Sequence, residues 1–136
     1  MNGGLVEHLF NAGAFTLHGG GQSDFKIDCS VLTYPDWEAL AALAVKRLPP
    51  FTCTYGIARG GTWFAAALQH HATNPSDRPQ LLIVDDVLTT GASMEAARAR
   101  MGSLGTYAIG GVVFARGPCP AWITPLFTLT PERSVP

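Results

Sequence analysis

The residues best equipped for chemistry lie together between positions 81 and 98, in the stretch LLIVDDVLTTGASMEAAR. Asp85 and Asp86 are adjacent carboxylates, and the hydroxyls of Thr89, Thr90 and Ser93 follow closely. Two ionised carboxylates can accept hydrogen bonds from two neighbouring hydroxyls, as on a ribose. The slim residues Thr89, Thr90, Gly91, Ala92 and Ser93 allow backbone N–H groups to close on an anion. A helix beginning just after them adds a partial positive charge there. Acidic pair, small-residue loop and helix start together suit a sugar phosphate.

The flanking residues indicate what positions this chemistry. Leu81, Leu82, Ile83 and Val84 form an unbroken apolar run, the pattern of a strand buried on both faces of a parallel sheet. Residues 94–101 read as the helix beyond the loop. The stretch also fits an ordinary strand whose acids merely cap a helix. A Walker-B strand is a poorer fit, because no G-x-x-x-x-G-K-[ST] occurs in the chain. A second loop, Gly56-Ile57-Ala58-Arg59-Gly60-Gly61, repeats the arrangement. It ends a strand predicted over 51–57 and precedes a helix predicted over 62–70. Its N–H groups face outward with little side-chain bulk, and Arg59 can pair with a diphosphate. Alone, it reads equally well as a plain strand-to-helix turn.

The rest of the chain supplies a scaffold. Residues 5–10 carry enough apolar side chains for a short helix, ended by Asn11-Ala12-Gly13. Residues 14–17 are then extended, residues 18–23 form a glycine-rich turn, and Phe25, Ile27 and Cys29 alternate with polar residues as in a half-buried strand. Together they predict a hairpin. Tyr34-Pro35-Asp36 opens a helix whose buried face is Trp37, Leu40, Ala41, Ala44 and Leu48, and Pro49-Pro50 stops it. Strands are predicted over 106–114 and 121–129, separated by a turn at 116–120. Pro125 assigns the last strand to a sheet edge. Strands alternate with helices from Tyr34 onward. The fold class is therefore α/β, a parallel sheet with helices on both faces and right-handed crossovers. In such sheets ligands bind beyond the C-terminal ends of the strands.

The chain has 136 residues, which suits one domain: a hood segment (1–33), an α/β core (34–129) and a loose tail (130–136). Net charge is −1 and only Lys26 and Lys46 are lysines, so a basic nucleic-acid face is not expected. No apolar run is long enough to span a membrane, and the N-terminus lacks the pattern of a secretory signal. The odd set Cys29, Cys53 and Cys119, with no Cys-x-x-Cys pair, points to reduced thiols in the cytoplasm rather than to disulfides or zinc.

The stretch at 81–98 resembles, position by position, the PRPP-binding signature of the type I phosphoribosyltransferases: an apolar run, Asp-Asp, two apolar residues, then Thr-Thr-Gly-x-Ser. The loop Ala58, Arg59, Gly60, Gly61 is similar to the pyrophosphate-binding loop of that family. The stretch FTLHGGGQSDFKID (15–28) resembles the opening of orotate phosphoribosyltransferases. The resemblance runs from Phe15 to about Arg116. It implies that Asp85 and Asp86 hold the ribose hydroxyls, with Arg59 as a catalytic cation. Val87, Leu88, Thr89, Thr90, Gly91, Ala92 and Ser93 would frame the 5′-phosphate. His18, Lys26 and Arg116 would face a nucleobase, orotate or another pyrimidine. It further implies Mg²⁺ held mainly by PRPP and water rather than by protein ligands, a place in nucleotide metabolism, and a homodimer.

Two departures from the family pattern stand out. The family places a strand and a cation-rich mobile loop between the helix after the pyrophosphate loop and the Asp-Asp strand. Here only ten residues, 71–80, fill that interval, with Arg78 as their one Arg or Lys. Gly60 stands where orotate enzymes often carry a lysine. The rival expectation is a non-catalytic protein that binds PRPP or a nucleotide in the same pocket, and a blander one is a fold kept for protein contacts.

Overall fold

The computed structural model describes residues 8–16, 22–73 and 79–129. It opens with an antiparallel hairpin, β1 (Phe10–Thr16) and β2 (Gln22–Ile27), in which Phe10 pairs with Ile27 and Thr16 with Gln22. The hairpin is the one expected, but it starts earlier. Residues 5–7 of the predicted first helix lie outside the described residues. Its end is strand: Phe10 begins β1, and Asn11-Ala12-Gly13, read as a helix stop, continue it. Pairing of Asn11 with Lys26 and Ala12 with Phe25 overrides the local stop signal. The strand expected to reach Cys29 ends instead at Ile27, because Asp28 caps a short 3₁₀ turn over Cys29–Val31. Its Oδ1 accepts from Ser30 N at 3.1 Å and from Ser30 Oγ at 2.6 Å.

Helix α1 (Tyr34–Val45) begins with a complete capping box. Asp36 N–H donates to Thr33 Oγ1, and Thr33 N–H donates to Asp36 Oδ2 at 2.8 Å. Then follow β3 (Cys53–Gly56), α2 (Gly60–Gln69), β4 (Leu81–Leu88), α3 (Ala92–Ser103), β5 (Ala108–Ala115) and β6 (Ile123–Thr128). The four strands are parallel in the order β3-β4-β5-β6. Pro125 sits on the edge strand β6, as its missing N–H requires. At the opposite edge, the outward N–H of Thr54 in β3 donates to Gln69 Oε1 of α2 at 3.0 Å.

Successive residues of β4 point to opposite sides of the sheet and define two cores. Leu82 and Val84 pack with Trp37, Ala41 and Ala44 of α1 and Phe64, Ala67 and Leu68 of α2. Ile83 and Leu88 pack with Met94 and Ala97 of α3. Helices therefore cover both faces, as expected, but the expectation of right-handed crossovers throughout does not hold. Strands β3, β4 and β5 step in one direction, while α2 and α3 lie on opposite faces. The two crossovers thus have opposite hand, although about 98% of such connections are right-handed. Strand β4 lies directly beside β3, with α2 as the helix of the connection between them. Among the described residues no helix is long and apolar enough to cross a membrane.

The return from β5 to β6 crosses the α3 face. Trp122 there donates from Nε1 to Glu95 Oε1 at 2.6 Å and lies under Arg98, whose guanidinium carbon is 4.7 Å from the ring centre. Gly110 makes room for it: an added Cβ would come within 2.8 Å of Trp122 Cζ3 and 3.0 Å of Ile123 Cγ1. Gly110→Ala is expected to displace the indole and to cost about 1–3 kcal/mol by overpacking. Urea denaturation followed by tryptophan fluorescence checks this, and an unchanged midpoint would contradict the packing described.

Candidate functional site

The site forms where β3 and β4 end side by side. Gly56 is in register with Val84, and Ile57 N–H donates to Val84 O at 2.8 Å, so the loops after both strands open into one crevice at the C-terminal end of the sheet. The first loop turns straight into α2, with Gly61 N–H donating to Ile57 O at 2.9 Å. An added Cβ on Gly61 would lie 2.6 Å from Val84 O and 3.0 Å from Asp85 Cα. One on Gly60 would overlap the carboxylate of Asp86. Neither glycine position has room for a side chain. The Ala58–Arg59 peptide is cis, and Arg59 projects into solvent at the helix start.

The sequence suggested that β4 stops at Val84, before the acids. It continues through both of them to Leu88, because β5 keeps pairing alongside: Asp85 opposes Val112, Val87 opposes Phe114, and Leu88 opposes Ala115. Asp85 Oδ1 accepts from Asp86 N–H, and Asp86 Oδ1 accepts from Val87 N–H, both at 2.8 Å. Burial, the hydrogen bond to the Asp86 side chain and the Asp86 charge together push the Asp85 carboxyl up to about 8. Val87 and Leu88 send their side chains into the two cores, which leaves only their backbone to the crevice.

Beyond Leu88 the loop is open. Thr89, Thr90, Ala92 and Ser93 are exposed, and Gly91 takes φ +85 to turn the chain into α3. No side chain caps the helix at Gly91, and Thr90 Oγ1 accepts from Ala92 N–H at 3.3 Å. Arg116 is drawn to the same region, its N–H donating to Leu88 O at 3.0 Å. Lys26 is exposed on β2, and His18 lies outside the described residues. Neither Arg59 nor Lys26 forms an ion pair with the acids among the described residues. The structure thus brings together Ala58, Arg59, Gly60, Gly61, Asp85, Asp86 and the loop from Thr89 to Ser93, with Arg116 at its base.

Cys29 was read from the sequence only as an inward strand residue. It is 5% exposed, and burial first, then the charges of Asp86, Asp28 and Asp85, push its thiol up to about 12. The period-two pattern placed it inside, but nothing local named the acid 57 positions away whose charge reaches it. A separate apolar groove of about 720 Å³, lined by Leu9, Phe10, Leu40, Phe114 and Phe127 among others, contains none of these site residues.

Gly60→Ala is expected to drive the Asp86 carboxylate out of place and to cost about 1–3 kcal/mol of stability by overpacking while the secondary structure persists. Calorimetry and circular dichroism together check this. A pH effect follows from Asp85. Unfolded, it ionises near 3.8; folded, it keeps its proton to about 8. The folded state binds more protons across that window, so stability falls as pH rises through it. Asp85→Asn removes the titration. Its melting temperature should match the parent near pH 4 and exceed it by about 5 °C or more at pH 9.

No protein-family model matches the chain. A comparison with curated proteins also finds no match. Solved structures do match. An orotate phosphoribosyltransferase from Aeropyrum pernix superposes with a TM-score of 0.74 at 24% identity, covering 89% of both chains. The orotate phosphoribosyltransferase of Mycobacterium tuberculosis H37Rv gives a TM-score of 0.64 at 18% identity over 88% of this chain and 89% of its own. Leishmania donovani UMP synthase gives 0.68 at 21% identity, over 90% of this chain and 33% of its own. The hairpin, the parallel sheet and the helices on its two faces are those of the type I phosphoribosyltransferase fold.

Proposed function

We propose that this protein is a PRPP-dependent phosphoribosyltransferase. The observation that carries the reading is the glycine contact between the loops, which sets a diphosphate-sized anion loop beside a carboxylate pair and an open helix start. Asp85 and Asp86 hold the ribose hydroxyls. The residues from Thr89 to Ser93 cradle the 5′-phosphate, with N–H groups at the start of α3 as donors. Ala58, Arg59, Gly60 and Gly61 take the pyrophosphate, with Arg59 as the counter-charge. His18, Lys26 and Arg116 face the base, and orotate or another pyrimidine is the proposed acceptor.

In the reaction a base nitrogen bonds to C1′ as the bond from C1′ to the pyrophosphate oxygen breaks, and the base N–H proton is released. Positive charge develops on the ribose, and the adjacent carboxylates stabilise it. Among the described residues no group of three His, Cys, Asp or Glu side chains gathers to hold a metal. The donors at the site suit Mg²⁺ that enters on the diphosphate oxygens, where it would neutralise the leaving group. A homodimer in the cytoplasm completes the proposal. The exposed rings of Phe10 and Phe127 offer apolar contact, and unpaired cysteines suit a reducing compartment.

A second reading has an observation of its own. Eleven residues join α2 to β4, and the described ones among them form no further strand, which leaves little there from which to build a shield over the reacting centre. A PRPP or nucleotide sensor would need the pocket without the shield. Incubation with Mg²⁺, PRPP and a mixture of nucleobases, analysed by mass spectrometry, separates the readings. A nucleoside monophosphate that vanishes in the Asp85→Asn/Asp86→Asn variant is expected for the enzyme and names its base. Binding heat from PRPP without product supports the sensor. Neither product nor heat would sink both.

A further inference from the structure

We infer that Trp122 is a positioning residue for the phosphate loop: its indole N–H, with Arg98 over the ring, holds the Glu95 carboxylate back from the start of α3 and leaves the helix N–H groups open to a phosphate. The inference rests on the reading of residues 89–93 as the 5′-phosphate cradle. Glu95 lies in the first turn of α3, where its own N–H donates to Gly91 O at 2.9 Å. The N–H groups of Ala92, Ser93 and Met94 come before that bond and have no helical carbonyl to meet. Helical side chains lean toward the N-terminus, and the helix dipole draws a carboxylate the same way. A glutamate at this position competes with any anion for the same donors.

The structure turns Glu95 in the other direction. Trp122 stands just before β6, at the N-terminal end of the strands, whereas the crevice lies at their C-terminal end. Its Nε1–H donates to Glu95 Oε1 at 2.6 Å, which draws the side chain along the α3 face and away from the loop. Trp122 is itself held in place. Its ring fills the hollow left by Gly110, and its carbonyl accepts from Gly110 N–H at 2.8 Å. The Arg98 guanidinium carbon sits 4.7 Å from the ring centre. A cation over the ring face draws electron density from the indole and makes its N–H a stronger donor. Arg98 also follows Glu95 by three positions, so its charge attracts the carboxylate from the side opposite the loop. Of the α3 side chains only Met94 and Ala97 are buried, so core packing does not aim Glu95. The indole contact does.

Calorimetric titration with ribose 5-phosphate tests the role. Trp122→Phe keeps a ring in the Gly110 hollow and removes the donor. Its affinity should fall about threefold or more, the scale of one exposed charge interaction. Glu95→Gln removes the charge and should bind at least as well as the parent. The double variant Trp122→Phe/Glu95→Gln should return to within about twofold of the parent, because no charge is left to hold back. A packing role alone gives no such rescue. A double variant as weak as Trp122→Phe would overturn the inference, and so would an unchanged affinity in Trp122→Phe. Should Trp122→Phe not fold, Glu95→Asp decides. It keeps the charge but is one methylene too short for the indole, so weaker binding is expected and unchanged binding refutes the hold. A parent protein that binds no ribose 5-phosphate would overturn the proposed cradle instead. Proton NMR then still decides the contact: the Trp122 indole N–H resonance should move upfield in Glu95→Ala, and a resonance that stays in place refutes it.

Discussion

The site depends on a contact that only glycine allows. Where α2 begins, Gly60 and Gly61 lie directly on the end of β4, against the Asp86 carboxylate and the backbone of Val84 and Asp85. Any β-carbon at Gly60 would overlap the Asp86 carboxylate, and one at Gly61 would press into the strand. This approach brings the turn into α2 within reach of two acids. The parallel ladder between β3 and β4 sets the height of the two loops, and the glycines set their separation.

The same closeness has an electrostatic consequence. Two carboxylates in a part-buried crevice cannot both stay ionised at low cost, and burial together with the neighbouring Asp86 pushes the Asp85 carboxyl up to about 8. A ligand that donates two hydroxyls to the pair, or brings a cation beside it, favours the doubly ionised state. The raised carboxyl costs stability as pH rises, while the pairing of β4 with β5 resumes beyond the acids at Val87 and Leu88.

Much of this was legible from local signals. The unbroken apolar run of β4, the Tyr34-Pro35-Asp36 helix start, the edge-strand proline and the order of elements all follow from short-range chemistry, and the structure shows each of them. The errors lay where a distant partner decided the outcome. Asn11-Ala12-Gly13 would end a helix in isolation, but β2 recruits these residues into a ladder. The acids look like a loop after a strand, but β5 extends the strand through them. Cys29 had an inward direction in the sequence and no visible reason for it. The hand of a crossover is a property of the assembled sheet, and no single segment encodes it.

The shortened link before β4 also leaves β3 at the rim of the sheet. Bare strand rims present a row of unsatisfied amides and carbonyls, and such rows recruit other chains. Here Gln69 reaches down from α2 and occupies the outward amide of Thr54 with its own carbonyl oxygen. The helix that borders the crevice thus also stops the sheet from growing sideways, as Pro125 does at the far rim. Both rims of the four-stranded sheet thus carry a feature that opposes pairing with a further strand.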